Sequence, residues 1–246
     1  MSHDVIRVFG WEFILLDITF CAVWITLLIR KNYYLQFFFG LFGSVIVFIS
    51  DYVFFYLIQG TREIFSLPTG LSPLMFLIYF SFTYGMIEFS YVMIMFTLDN
   101  WSKKMFWTLL LYSGWFLIAF LPKIFPLSDS TVDIVRHMKE NRWTQIGMVV
   151  GGYLLLIIFK YTWKPFRSLR WLKLGFLFLT GFLVHFAMEI SLLTAGIRPA
   201  SDLISVLVFN SFIEFNTGVP ILFIAWNLIN YYMSEKKIRE TLISSC

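Results

Sequence analysis

Acidic side chains inside apolar segments are the residues of this chain whose type and position could do chemistry. Six of them lie in segments long and apolar enough to cross a membrane, and those segments contain no Lys or Arg: Glu12, Asp17, Asp51, Glu88, Glu189 and Glu214. An unpaired charged acid at membrane depth is costly, so such residues usually face the protein interior and mark a functional site. We therefore expect some of them to stay protonated near neutral pH, as proton donors or carriers.

The depth of these acids predicts a shared site. With the N-terminus outside, four acids from four helices lie in the outer half of the bilayer and could share one cavity: Asp17, Asp51, Glu189 and Glu214. Glu88 lies slightly inward of the middle, and Glu12 is interfacial. For any single acid, a structural role in holding helices together by hydrogen bonds is an equally good interpretation.

Further polar residues accompany two of the acids. His185 precedes Glu189 by four residues, so both side chains share one helix face and can form a hydrogen bond or half of a metal site. Asn210 and Asn216 flank Glu214 and indicate a polar stretch that opens onto a cavity. His185 and Glu189 without a further Cys or His are a weak indication of a metal site. No nucleotide-binding motif is present either, so we predict neither a metal ion nor a cofactor.

Aromatic side chains next to the acids can line a cavity. Tyr52 and Tyr56 follow Asp51, and Phe215 follows Glu214. Such rings stabilise a cation without supplying a nucleophile. Packing against lipid and within the core is the default interpretation of most of the 30 phenylalanines.

Seven apolar segments must position these residues. With 59% hydrophobic and 14% charged residues, the chain is too apolar for an ordinary water-soluble domain. We predict an all-α, multi-pass membrane protein that forms a single domain over 1–246, with seven transmembrane helices at about 11–29, 34–58, 73–98, 105–121, 144–159, 174–195 and 203–233. Gly147 and Gly151 form a small-xxx-small pair that predicts close helix approach in the fifth span.

Basic residues predict the orientation. With the N-terminus outside and the C-terminus in the cytoplasm, twelve Lys and Arg lie on the cytoplasmic side: Arg30, Lys31, Lys103, Lys104, Lys160, Lys164, Arg167, Arg170, Lys173, Lys236, Lys237 and Arg239. Seven lie outside: Arg7, Arg62, Lys123, Arg136, Lys139, Arg142 and Arg198. This asymmetry follows the positive-inside rule. The spread of basic charge over short loops argues against nucleic acid as a partner.

Two short stretches resemble a known family. Ile49 to Tyr56 reads ISDYVFFY, and Phe212 to Asn216 reads FIEFN. The chain resembles the small integral-membrane terpene cyclases of fungal meroterpenoid and indole-diterpene pathways and their bacterial relatives, which have an acid late in the second helix and another in the last. By this resemblance Asp51 takes the first position and Glu214 the second. Helix order favours Asp51 for the first position, whereas the spelling of the motif favours Glu88, within IEFSY in the third helix.

The resemblance implies a metal-independent cyclisation in which a buried acid protonates a prenylated lipophilic substrate that enters from the bilayer. Asp51, Glu214 and Glu88 are then the catalytic candidates, and Glu189 and His185 tune them or close the pocket. Two other classes remain open from the residues themselves. The acids could form the relay of a proton-coupled transporter or cation pathway. The chain could also be a seven-helix sensor whose loop 160–173 contacts a partner or anionic membrane lipid.

Overall fold

The computed structural model describes residues 3–126, 128–138, 143–199 and 204–244. In this part of the chain, seven helices are long and apolar enough to cross a membrane, which confirms the all-α, seven-span fold class. Residue 203, predicted to begin the seventh span, lies outside the described residues. The same holds for Lys139 and Arg142 and for the side chains of Lys236, Lys237 and Arg239.

The helices follow the predicted spans closely. The first six are α1 (Trp11–Arg30), α2 (Tyr34–Phe48), α3 (Pro73–Thr97), α4 (Trp101–Ile124), α5 (Trp143–Thr162) and α6 (Trp171–Thr194). A π-helix over Ile49–Ile58 continues α2. The seventh span is broken into a π-helix (Ser205–Phe209), α7 (Asn210–Ile213), a 3₁₀ turn (Phe215–Thr217) and α8 (Val219–Ser244).

Local sequence signals explain where several helices begin and end. Asn32 has a φ of 57°, in the left-handed region that asparagine tolerates, and this turn separates α1 from α2. The Ser72 side chain accepts a hydrogen bond from the Met75 amide at 3.2 Å and caps α3, which starts with Pro73. Asn100 caps α4 in the same way.

A three-stranded antiparallel sheet was not predicted from the sequence. It consists of β1 (His3–Gly10), β2 (Arg62–Phe65) and β3 (Thr131–Met138), in the order β1, β3, β2. Gly10 pairs with Thr131 in one ladder, and Arg62 pairs with Arg136 in the other. The Val8 amide also donates to the Ile197 carbonyl beyond α6 at 2.8 Å. In a chain whose helices cross the membrane alternately, β1, β2, β3 and the turn after α6 all lie on the same side. Backbone hydrogen bonds join these four segments.

The chain divides into two compact units. The first comprises Met1–Asn141 and Leu183–Ser211, so it holds α1 to α4, the sheet and the second half of α6. The second comprises Arg142–Phe182 and Phe212–Cys246, with α5, the first half of α6 and α8.

Helix α3 is the core of the first unit. In its most apolar 18-residue window, 83% of the residues are buried, as expected for a helix surrounded by other elements. Its closest neighbour is α2, because glycines remove the side chains between the two backbones. A Cβ on Gly85 would lie 2.4 Å from the Ser44 Cα, and one on Gly43 would lie 2.2 Å from the Phe89 ring.

The predicted close approach at Gly147 and Gly151 is wrong. Both glycines are exposed, and a Cβ at either would have no described atom within 4 Å. The small residue of α5 that does make a close contact is Gly152, where a Cβ would lie 3.0 Å from the Pro220 ring. The glycine pattern gave the right helix but the wrong face, because spacing alone does not show which face meets a partner.

Candidate functional site

Glu189 is the centre of a buried ionic cluster in the first unit. Its side chain is fully buried near the end of α6. Arg7 of β1 donates to Oε1 at 3.0 Å, and Arg198, in the turn after α6, donates to Oε2. His185, one helical turn earlier, has its Nε2 3.6 Å from Oε1, beyond hydrogen-bond distance. Two guanidinium groups therefore compensate one carboxylate.

Asp51 forms a second buried ion pair. It lies in the π-helix that continues α2, and Arg62 of β2 contacts its Oδ1 at 2.8 Å. Both side chains are almost completely buried. The Arg62 guanidinium also lies 5.6 Å from the centre of the Phe80 ring, in a cation–π arrangement.

The expectation that the intramembrane acids lack basic partners is therefore wrong for Asp51 and Glu189. The partners come from outside the spans, because the sheet and the turn after α6 direct Arg7, Arg62 and Arg198 inward. The sequence analysis assigned these three arginines to topology. One signal could have found them, since each lies within a few residues of a span end on the side where the two acids were placed.

Asp17 is held differently. It lies in α1 with 1% of its surface exposed, and the Tyr79 hydroxyl donates to its Oδ2 at 2.9 Å. The Thr83 hydroxyl also interacts with this carboxyl, yet Oδ1 has no described partner in direct hydrogen-bond geometry. Among the described residues, no ion pair with Lys, Arg or His within 4.0 Å is found for Asp17, in contrast to Asp51 and Glu189.

Tyr84 connects Asp17 to the other polar groups of the first unit. This buried tyrosine interacts electrostatically with four charged or titratable side chains: Asp17, Arg7, Glu88 and Glu189. Its ring lies 4.4 Å from the ring of Phe80 and 6.2 Å from that of Trp115, measured between centres. Polar groups and aromatic faces thus occur together around α3.

Glu88 lies one turn after Tyr84 on α3 and is 7% exposed. Asn210, at the start of α7, is buried in the same unit. Tyr52 stacks between Phe48 and Tyr56, with ring centres 5.1 Å and 5.7 Å apart. These tyrosines are only half-buried, so the rings beside Asp51 are packed on one another along one face of their helix.

The remaining predicted residues lie in the second unit. Glu214 and Phe215 are half-buried at the break in the seventh span. Asn216 is fully buried; its Nδ2 donates to the Phe212 carbonyl at 3.1 Å, and its Oδ1 accepts from the Tyr153 hydroxyl at 2.8 Å. Asn216 therefore connects the break to α5. The structure brings Asp17, Asp51 and Glu189 into one unit, and a cavity that also includes Glu214 stays a prediction.

Glu12 has a structural role, because its Oε1 accepts a hydrogen bond from the Ser128 amide in the segment before β3. In the described part of the chain, no three His, Cys, Asp or Glu side chains are grouped so that they could hold a metal ion. Comparison of the chain with protein-family models, with curated proteins and with solved structures finds no match.

Proposed function

We propose that this protein is a membrane-embedded enzyme that donates a proton from Asp17 to a lipophilic, prenylated substrate, as the membrane terpene cyclases it resembles do with their own acids. One observation carries the proposal. Asp17 is a buried acid whose described contacts are hydroxyl groups and whose Oδ1 has no described partner in direct hydrogen-bond geometry. A proton on that oxygen is available for transfer.

The arginine contacts separate Asp17 from two of the other candidates. A carboxylate that accepts charge-assisted hydrogen bonds from a guanidinium has its oxygens occupied by that partner and fixes the partner's position. Asp51 and Glu189 are paired in this way. We therefore assign them to the framework of the site. Glu88 is the second candidate for the donor, because it is a buried acid one turn after Tyr84 on α3.

Aromatic rings packed around Tyr84, which interacts electrostatically with Asp17, suit the chemistry that follows protonation. The proton from Asp17 forms a new C–H bond with the electron pair of a substrate alkene, which leaves a carbocation. Attack by an internal alkene closes a ring, and loss of a proton from the last cation gives an isomer of the substrate. The faces of Tyr84, Phe80 and Trp115 are a suitable environment for such cations.

The test compares Asp17→Asn with Asp129→Asn, which removes an exposed acid between α4 and α5. Cells expressing each variant receive a panel of prenylated phenols, quinones and their epoxides, and the extracted lipids are examined by mass spectrometry. We expect an isomer of unchanged mass with wild type and Asp129→Asn, and a loss of about a hundredfold or more with Asp17→Asn. Full activity of Asp17→Asn at equal expression would contradict the assignment.

A second candidate function is proton-coupled transport, and the broken seventh span favours it. Interrupted helices near buried acids are a common arrangement in secondary transporters. Here π-, α- and 3₁₀-helical pieces follow one another between Ser205 and Thr217, with Glu214 among them. If the panel yields no isomer with wild type, proteoliposomes with an imposed pH gradient test this function. A flux that Glu214→Gln abolishes would support transport.

A further inference from the structure

An open pocket of about 550 Å³ lies where the turn between α1 and α2 meets the start of α4. Arg30 and Lys31 line it from the end of α1, and Lys103 lines it from the first turn of α4. The rings of Tyr33 and Trp107, whose centres are 6.0 Å apart, form an aromatic wall. This pocket is separate from the acids described above, and the proposed function does not use it.

All the charged side chains that line this pocket are cationic. The lining includes no Asp or Glu, and no described carboxylate forms an ion pair within 4.0 Å of Arg30, Lys31 or Lys103. Lys31 lies over the Phe106 ring at 5.3 Å. The neighbouring acid in the chain, Asp99, interacts with Lys104, which does not line the pocket. Three positive charges thus converge without a described counter-charge.

The helix start adds donors to these charges. Asn100 accepts a hydrogen bond from the Lys103 amide at 3.1 Å, and the Lys104 amide bonds to the Asn100 carbonyl at 3.2 Å. The amides of Trp101 and Ser102 belong to the first turn and have no carbonyl partner within the helix. The positive end of the α4 dipole therefore faces the same region as the side-chain cations.

We propose that this pocket binds the phosphate group of an anionic headgroup. Guanidinium and ammonium groups together with free amides are the donors that phosphate oxygens require. The pocket lies at the ends of two spans, where Tyr and Trp rings mark the membrane interface. A phospholipid headgroup and a soluble phosphate ester share this chemistry, so the experiment must distinguish the two sources.

The experiment uses the purified full-length protein and native mass spectrometry with phosphatidic acid, phosphatidylglycerol and phosphatidylcholine of equal chain length. A parallel arm adds glycerol 3-phosphate as the soluble ester. The test variant is Arg30→Gln/Lys103→Gln. The control is Lys123→Gln, which removes an exposed positive charge from the last turn of the same helix, α4.

We expect the two anionic lipids to bind at least about fivefold more tightly than phosphatidylcholine, with a further fivefold loss or more in the test variant and little change in the control. Displacement of the lipid by glycerol 3-phosphate, with the same dependence on the variants, would support the site with a soluble ester as its source. Equal binding of all three lipids, or an equal loss in the test variant and in the Lys123→Gln control, would overturn the proposal.

A second variant distinguishes loss of the binding site from misfolding. Ser102→Glu places a negative charge at the pocket wall, while an acid in the first turn of a helix favours the helix itself. Anionic lipid binding should fall in this variant although its melting temperature is maintained. Unchanged lipid binding in Ser102→Glu would contradict the proposed site.

Discussion

Arginine contacts distinguish two of the buried acids of the first unit from Asp17. Asp51 and Glu189 form ion pairs with guanidinium groups, whereas Asp17 accepts a hydrogen bond from a tyrosine hydroxyl. Because a buried ion pair is costly to break from one side, we expect removal of one partner of Asp51 or Glu189, or of either acid, to destabilise the protein. In the proposed function, Asp17 is the proton donor.

The Asp51–Arg62 pair gives a prediction at this scale. Asp51→Asn removes the carboxylate that contacts the buried Arg62 guanidinium, so we expect a loss of about 3 kcal/mol or more and a clearly lower melting temperature. The control is Asp133→Asn, at a half-buried acid on the same sheet that accepts from the exposed Ser66. Thermal unfolding in detergent measures both, and equal melting temperatures would show that the pair is not part of the framework.

The double variant Asp51→Asn/Arg62→Met tests whether the two side chains interact directly. If the two charges stabilise each other, removing both should cost less than the sum of the single losses. An additive result would contradict a direct interaction between the Asp51 and Arg62 side chains.

At the scale of elements, the helices were predictable and their close contacts were not. Long apolar runs bounded by charged or cap residues predicted each span to within a few residues, because the cost of exposing a backbone to lipid determines helix length. The sheet was missed because its strands lie outside the apolar spans and their pairing joins residues as far apart as Gly10 and Thr131. The π-helix at Asp51 has no sequence signal that we recognised.

The contact between α2 and α3 gives a prediction about elements. Gly85→Ala would place a methyl group 2.4 Å from the Ser44 backbone, so the two helices must separate and stability should fall by about 1–3 kcal/mol. Gly147→Ala is the matched control, since an added methyl group meets no described atom there. Melting temperatures of the two variants check this. A stable Gly85→Ala would mean that α2 and α3 are not closely packed.

The candidate site was predictable only in part, because contacts between residues far apart in the chain leave no pattern in the sequence. The sequence identified Asp17, Asp51 and Glu189 as acids at membrane depth, and the structure places all three in one unit. The arginine partners were missed because they reach the acids from strands and a turn, across as many as 182 residues of chain. Tyr79 and Tyr84 were missed because α3 is buried on nearly all sides, so no pattern marks which of its residues contact polar groups.

At the scale of the whole molecule, the orientation of the helices in the membrane is a testable prediction. The excess of basic residues in alternate connections predicts an outer N-terminus. Single cysteines at Asp129→Cys and Ser168→Cys, both exposed, report on opposite sides of the membrane. Cys246→Ser supplies the background, and Cys21 is buried.

With intact cells and a membrane-impermeant maleimide, we expect labelling at position 129 and protection at position 168. The reverse pattern would place the N-terminus inside. The phosphate pocket would then face the outside of the cell, although its proposed chemistry would be unchanged.

Transfer of a proton to carbon by Asp17 is the central claim, and deuterium incorporation tests it most directly. The measurement supplies membranes in D₂O with a prenylated substrate that ends in an alkene and determines the mass of any cyclised isomer. Wild type should give an isomer that carries one carbon-bound deuterium, and Asp17→Asn should give none at equal protein levels. An isomer without deuterium, or deuterated isomer from Asp17→Asn at the wild-type rate, would contradict the claim.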